Sequence, residues 1–214
     1  MEITWFGLSC FRLAERGFAT VVTDPFDSRE TGYGPAKLKA NIVTVSHDIA
    51  GFNHLETVEG EPYIIKGPGE YEVGGVFITG IQLGGQNRPE EPGSNTVFVF
   101  DYNSLTVAHL GDLNHAPSQA EIEAMGTVNI VLVPIGSSHG LNPARAAEVI
   151  SLLEPNLVIP MHYASSDNPL SLDSLSKFLK EMGITEIETQ SSLKISASSL
   201  PEETRVVVLD YQSN

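Results

Sequence analysis

Apolar residues in the first half of the chain fall into short runs broken by polar or glycine-bearing segments, at 3–6, 10–13, 20–23, 42–45, 63–65, 76–81, 96–102 and 105–110. β-branched and aromatic side chains dominate these runs, and their lengths suit strands better than helices. Gly74-Gly75 and Asn103-Ser104 lie between consecutive runs and suit the positive φ angles of tight turns, so the flanking strands are predicted to be antiparallel hairpins.

The period then changes. Residues 117–125, 143–153 and 172–182 carry helical spacing; Asn142 caps the second, and Gly126 and Gly183 stop the first and third. Short apolar runs at 130–133 and 157–159 lie between the helices, and a last strand is predicted at 206–209. Strand alternating with helix gives a mixed α/β class. Residues 84–93, rich in Gly, Pro and Glu, read as a surface loop rather than a linker because a strand follows at once, and residues 1–214 are expected to form one domain.

Polar residues sharpen this picture because they gather at strand ends. The run 20–23 leads into Asp24, 42–45 into Ser46-His47-Asp48, 105–108 into His109-Leu110-Gly111-Asp112, 157–159 into Pro160-Met161-His162, and 130–135 into the loop bearing His139. In open sheets the carboxyl ends of strands line the ligand crevice, so these groups can converge despite their separation in sequence. Imidazole and carboxylate together suit Zn²⁺, or alternatively Mn²⁺ or Fe, and such an ion lowers the pKa of a bound water.

Composition narrows the function classes. A formal charge of −15 with only 12 Lys and Arg opposes a phosphate backbone, so no nucleic-acid partner is expected. The apolar runs are too short to span a bilayer, so no membrane partner is expected either. The single cysteine, Cys10, cannot close an internal disulfide, and with no export signal at the start the chain reads as cytoplasmic. A small-molecule substrate is the expected partner, and self-association is compatible with the sequence.

The tetrapeptide His109-Leu110-Gly111-Asp112, then Pro134-Ile135-Gly136, then Pro160-Met161-His162-Tyr163 resemble, in that order, the metallo-β-lactamase superfamily. Asp24-Pro25-Phe26 and Gly67-Pro68-Gly69-Glu70-Tyr71-Glu72 are similar to its branch of zinc-dependent hydrolases related to ascorbate-phosphate lactonases. The resemblance implies a four-layered αββα sandwich with a metal site where the sheets meet. It implies His47, Asp112 and His162 as metal ligands, Asp112 being the carboxylate that bridges two ions in the family. The family's His-x-His-x-Asp-His signature, however, reads His47-Asp48-Ile49-Ala50-Gly51-Phe52, and its Gly-His-Ser reads Gly7-Leu8-Ser9. An eroded, mononuclear site follows from that pattern, holding one divalent ion or none.

Two readings stand at this point. In one, a metal-activated water attacks an ester, lactone or phosphoester, with His109 or His139 protonating the leaving group beside Asp112. In the other, Ile49 and Phe52 fill the volume of the lost ligands and the fold persists as an inactive binding or structural protein. Asp48 and His54 are the residues able to replace missing ligands, although His54 and His115 also read as ordinary surface histidines. Asp24 is expected to orient a ligand histidine, and Glu70 and Glu72 to be solvated on an edge strand.

Overall fold

The structure, a computed structural model, describes residues 1–34, 37–49, 52–83, 95–136, 140–165 and 170–213. The predicted loop at 84–93 and His139 lie outside the described residues.

Two mixed sheets form the sandwich. The six-stranded sheet runs in the order Leu193–Lys194, Glu2–Gly7, Cys10–Ala14, Val21–Thr23, Ile42–Thr44, Tyr63–Ile65. The seven-stranded sheet runs Arg205–Val206, Leu157–Met161, Ile130–Pro134, Thr106–His109, Asn95–Asp101, Val76–Leu83, Gly69–Val73. Both predicted hairpins are present, Val73 pairing with Val76 around Gly74-Gly75 and Asp101 with Thr106 around Asn103-Ser104.

Strand alternation builds the core. Ile3, Trp5, Phe11, Leu13, Val21 and Ile42 face the seven-stranded sheet and join its Val97, Val107, Val131 and Ile159 in one buried cluster. Phe6, Cys10, Val22 and Val43 occupy the opposite face, where Phe26, Tyr33, Leu38 and Val58 cover them. Leu38 and Val58 belong to a two-stranded parallel pair, Leu38–Lys39 with Val58–Glu59, while Phe26 and Tyr33 flank the single-turn helix Ser28–Thr31. Helix Pro143–Leu153 packs on the strand Ile130–Pro134 and on helix Leu175–Glu181. Its buried residues Pro143, Ala146, Val149, Ile150 and Leu153 repeat at helical spacing, and Asn142 accepts the Arg145 backbone N–H at 3.0 Å as its cap.

Two helix starts and the last strand depart from the predicted bounds, the first for a local reason and the other two for tertiary ones. The helix predicted at 117–125 starts at Gln119, because Ser118 and Glu121 form a reciprocal capping box. The helix predicted at 172–182 starts at Leu175, because Asp173 is drawn into backbone bonds with Gly136 and Ala164. The strand predicted at 206–209 splits: Arg205–Val206 joins Leu157–Met161, while Val208–Leu209 pairs with Thr189–Gln190.

Candidate functional site

Topology decides where the polar strand ends meet. Val21–Thr23, Ile42–Thr44 and Tyr63–Ile65 are mutually parallel, as are Thr106–His109, Ile130–Pro134 and Leu157–Met161. Their carboxyl ends therefore emerge on common edges, which places Asp24, His47, Asp112 and His162 beyond them. The two sheets are joined there by backbone bonds from Thr96 to Ser46, 2.8 Å, and from His162 to Leu8, 3.3 Å.

Asp24 is buried and accepts the backbone N–H of Ser46 at 2.7 Å and its hydroxyl at 2.5 Å. Ser46 precedes His47, so this carboxylate fixes the turn that delivers the first candidate ligand; its expected role as an orienting group has a geometric basis. Asp24 also stands 3.8 Å from His109 Nε2. Burial pushes its carboxyl above the ordinary value, against the opposing pull of His109 and the Ser46 bonds.

His109 has no exposed surface, and its Nε2 lies 2.9 Å from the Ser9 carbonyl oxygen. A carbonyl only accepts, so Nε2 carries the proton, and Nδ1 of the neutral ring is a buried lone pair without a partner among the described residues. Burial holds the imidazole below its ordinary value of 6.5, outweighing Asp24 and the Ser9 carbonyl. The unfolded ring therefore takes a proton before the folded one, and stability falls as pH drops below 6.5. Asp24 acts in the opposite sense: with its folded value raised above 3.8, stability is regained as pH falls through that raised value. A His109→Asn variant should lose up to about 1.4 kcal/mol per pH unit of the stability slope just below pH 6.5 in urea titrations. A slope unchanged from that of the parent protein would mean that the ring ionises freely in the folded state.

His47 and Asp112 form the half-buried part of the cluster, with Nδ1 to Oδ2 at 3.5 Å. That distance permits charge attraction but not an aligned hydrogen bond, and among the described residues neither buried ring nitrogen of His47 has a hydrogen-bond partner. His162 has a left-handed φ of 53° and places Nδ1 3.3 Å from the Ser9 hydroxyl. Its ring is held below the ordinary value by burial, partly offset by the Asp112 charge. Phe52 stacks flat on it, ring centroids 5.3 Å apart and planes 12° apart.

The remaining predicted residues separate from this cluster. Asp48 is exposed and held by Asn53 at 2.5 Å and Lys66 at 3.4 Å; the Asn53 bond, above all, lowers its carboxyl below the ordinary range. His54 lies against the Pro25–Asp27 segment through its backbone bond to Pro25. His115 pairs with Asn114 and stands 3.9 Å from Glu121. Glu70 and Glu72 are exposed on an edge strand, as expected. Ile49 is 37% exposed and therefore does not fill a vacated ligand position, whereas Phe52 does cover His162.

Asn95 is the site residue that the sequence reading missed. It is buried, donates to the Leu110 carbonyl at 2.9 Å and accepts the Asp112 backbone N–H at 2.9 Å, so it pins the loop carrying Asp112. An isolated asparagine at the start of a strand gives no sequence signal for such a bridge.

The donor chemistry of His47, Asp112 and His162, and the orphaned nitrogens of His47 above all, fit a divalent cation. Among the described residues, however, no three His, Cys, Asp or Glu side chains come close enough to enclose one ion. What stands in place is an open donor set.

Two mixed sheets with a polar cluster at the carboxyl ends of their strands define a metallo-β-lactamase-type sandwich. The chain matches the Beta-lactamase superfamily domain over residues 2–162 and belongs to the metallo-β-lactamase superfamily. A Thermotoga maritima structure assigned to the Zn-dependent hydrolases of that superfamily superposes with a TM-score of 0.82 at 36% identity, covering 99% of each chain. A UPF0173 protein of Pyrococcus furiosus is 28% identical over 77% of this chain and 84% of its own length. A UPF0173 metal-dependent hydrolase of Thermoplasma acidophilum is 28% identical over 78% and 85% respectively. No helix among the described residues is long and apolar enough to cross a membrane.

Proposed function

We propose that the chain is a metal-dependent hydrolase acting on a small ester, lactone or phosphoester, with one divalent ion, Zn²⁺ or alternatively Mn²⁺ or Fe, held by His47, Asp112 and His162. The observation that carries this reading is His47, whose two buried ring nitrogens have no hydrogen-bond partner among the described residues and lie beside the Asp112 carboxylate. Buried polar atoms are normally satisfied, so a pair left open at the carboxyl edge of the sheets calls for a missing partner. The names of the T. maritima and T. acidophilum relatives point the same way. When bound, the ion would supply a water acidic enough to give hydroxide near neutral pH.

The residues' own parts follow from their contacts. Donation by His162 Nδ1 to the Ser9 hydroxyl would leave Nε2 free as the ligating atom. His109 is too deeply buried to meet a leaving group, so it acts by holding Ser9 while Asp24 holds the His47 turn. His139 is retained as the candidate proton donor on the strength of the sequence.

A second reading, a fold kept for binding without hydrolysis, is favoured by Phe52 lying over His162. Elemental mass spectrometry on protein loaded with Zn²⁺, Mn²⁺ or Fe²⁺ separates the two. Retention after dialysis of about one ion per chain is expected, together with metal-dependent turnover in a screen of esters, lactones and phosphoesters. His47→Ala should weaken binding at least about a hundredfold, since even losses behind a ligand typically cost 10–100-fold. Protein that binds no ion after loading supports the second reading.

A further inference from the structure

We propose that Arg12, on the outer face of the six-stranded sheet, anchors a binding site for a small monocarboxylate, separate from the candidate metal site. The proposal does not rest on the hydrolase reading, and its failure would leave that reading untouched.

A cavity of about 220 Å³ lies between the strand residues Thr4, Phe6 and Arg12 and the later residues Ser191, Ser192 and Gln212. Strand pairing sets Arg12 opposite Thr4, and the alternation along Glu2–Gly7 puts Glu2, Thr4 and Phe6 on that same face. Gln212 is fixed as the far wall: its backbone N–H donates to the Trp5 carbonyl at 2.8 Å and its side-chain amide to the Asp210 carbonyl at 3.1 Å. None of the lining residues belongs to the cluster of His47, Asp112 and His162.

Arg12 is the one Lys or Arg among the described residues that is not exposed. Its guanidinium carbon stands 5.7 Å from the centroid of the buried Phe6 ring. Among the described residues no acceptor takes a hydrogen bond or ion pair from that guanidinium, although the chain carries 27 Asp and Glu against 12 Lys and Arg. Drawing a charge partly out of water without a counter-charge costs free energy, and a planar fork of five N–H donors matches an oxoanion. Glu2 also lines the cavity but is engaged elsewhere, taking the Ser192 hydroxyl at 3.0 Å and standing 3.7 Å from Lys194 Nζ. Its presence sets the charge of the ligand. One guanidinium balances one negative charge, and a dianionic phosphate would bring its second charge toward Glu2. The Ser191 hydroxyl, unbonded among the described residues, is a further donor to a carboxylate. An adjoining cavity that shares Glu2 carries the Met1 ammonium, Arg16 and Lys194 against Glu2 and Glu15, so this stretch of surface is locally positive in a chain of formal charge −15.

The test titrates protein prepared without added metal with sodium propionate at constant ionic strength, read as shifts in two-dimensional NMR. The backbone signals of Arg12, Ser191 and Ser192 and the Arg12 Nε–H signal should move together and saturate, while those around His47 stay in place. Arg12→Gln should bind propionate roughly ten- to a hundredfold more weakly, the loss that follows from removing a hydrogen bond to a charged group. Arg12→Lys, which keeps the charge without the planar fork, should fall between the two. Because Arg12 also covers Phe6, Ser191→Asp serves as a second variant: it leaves that contact in place, sets a carboxylate at the cavity and should weaken binding too. Inorganic phosphate in place of propionate should bind more weakly. Propionate that moves none of these signals, or binds Arg12→Gln as tightly as the parent protein, overturns the proposal. Phosphate that binds more tightly than propionate overturns it as a carboxylate site.

Discussion

Gly111→Ala is expected to destabilise the protein by about 2–5 kcal/mol, combining a left-handed backbone penalty of about 1–2 with overpacking of about 1–3. Gly111 has a φ of 60°, and a Cβ there would stand 2.3 Å from Asn95 Oδ1 and 2.6 Å from the Ser46 Cβ and Oγ. Neither neighbour can withdraw freely. Asn95 pins both Leu110 and Asp112, and the Ser46 hydroxyl is fixed on Asp24. The methyl group would therefore push apart the two loops that bring His47 and Asp112 together, so metal retention should fall with stability. Gly183→Ala is the matched control. Its φ is 70°, but nothing lies within 4 Å of its Cβ position, so only the backbone cost of about 1–2 kcal/mol applies. Denaturant midpoints for the two variants isolate the contact, and equal losses would show that close packing around Gly111 is unimportant.

The contrast between Gly111 and the residues around it also marks how much of the site was legible in the sequence. Strands and helices were readable because their burial repeats locally, as in Pro143–Leu153, whose buried face follows from spacing alone. The convergence of His47, Asp112 and His162 on one edge was readable because parallel strands send their carboxyl ends the same way. Their spacing as ligands was not, since side-chain distances depend on contacts such as Asn95 to Asp112 and Ser9 to His162 that join residues far apart in the chain. His109 illustrates the limit. Its place at a strand end suggested a proton donor, but only the three-dimensional structure reveals that it is enclosed, with Nε2 committed to the Ser9 carbonyl. Phe52 was foreseen as a filler of lost ligand volume, yet the same argument applied to Ile49 fails because that side chain stays exposed.

Asp24→Ala should cost about 2–6 kcal/mol, because a buried donor left without its acceptor costs about 1–3 and two are left here. The substitution leaves the Ser46 backbone N–H and hydroxyl buried without their acceptor, and it puts alanine at a φ of 38°, where an L side chain is strained. Asp24→Asn separates shape from charge. Asparagine tolerates the left-handed backbone, its amide oxygen can accept the Ser46 N–H, and the Ser46 hydroxyl can turn to accept from its NH₂ group. It also removes a carboxylate whose ionised form burial disfavours, so its loss should stay near 1 kcal/mol, within the ordinary range for a single hydrogen bond. The asparagine variant should further lose the gain in stability that Asp24 gives as acid protonates it, visible as a flatter pH–stability curve at the acid end. If asparagine proves as damaging as alanine, the negative charge beside His109 and His47 matters more than the bonds to Ser46. In that case the carboxylate's chief effect on the site is electrostatic, exerted on the two imidazoles rather than through the turn that delivers His47.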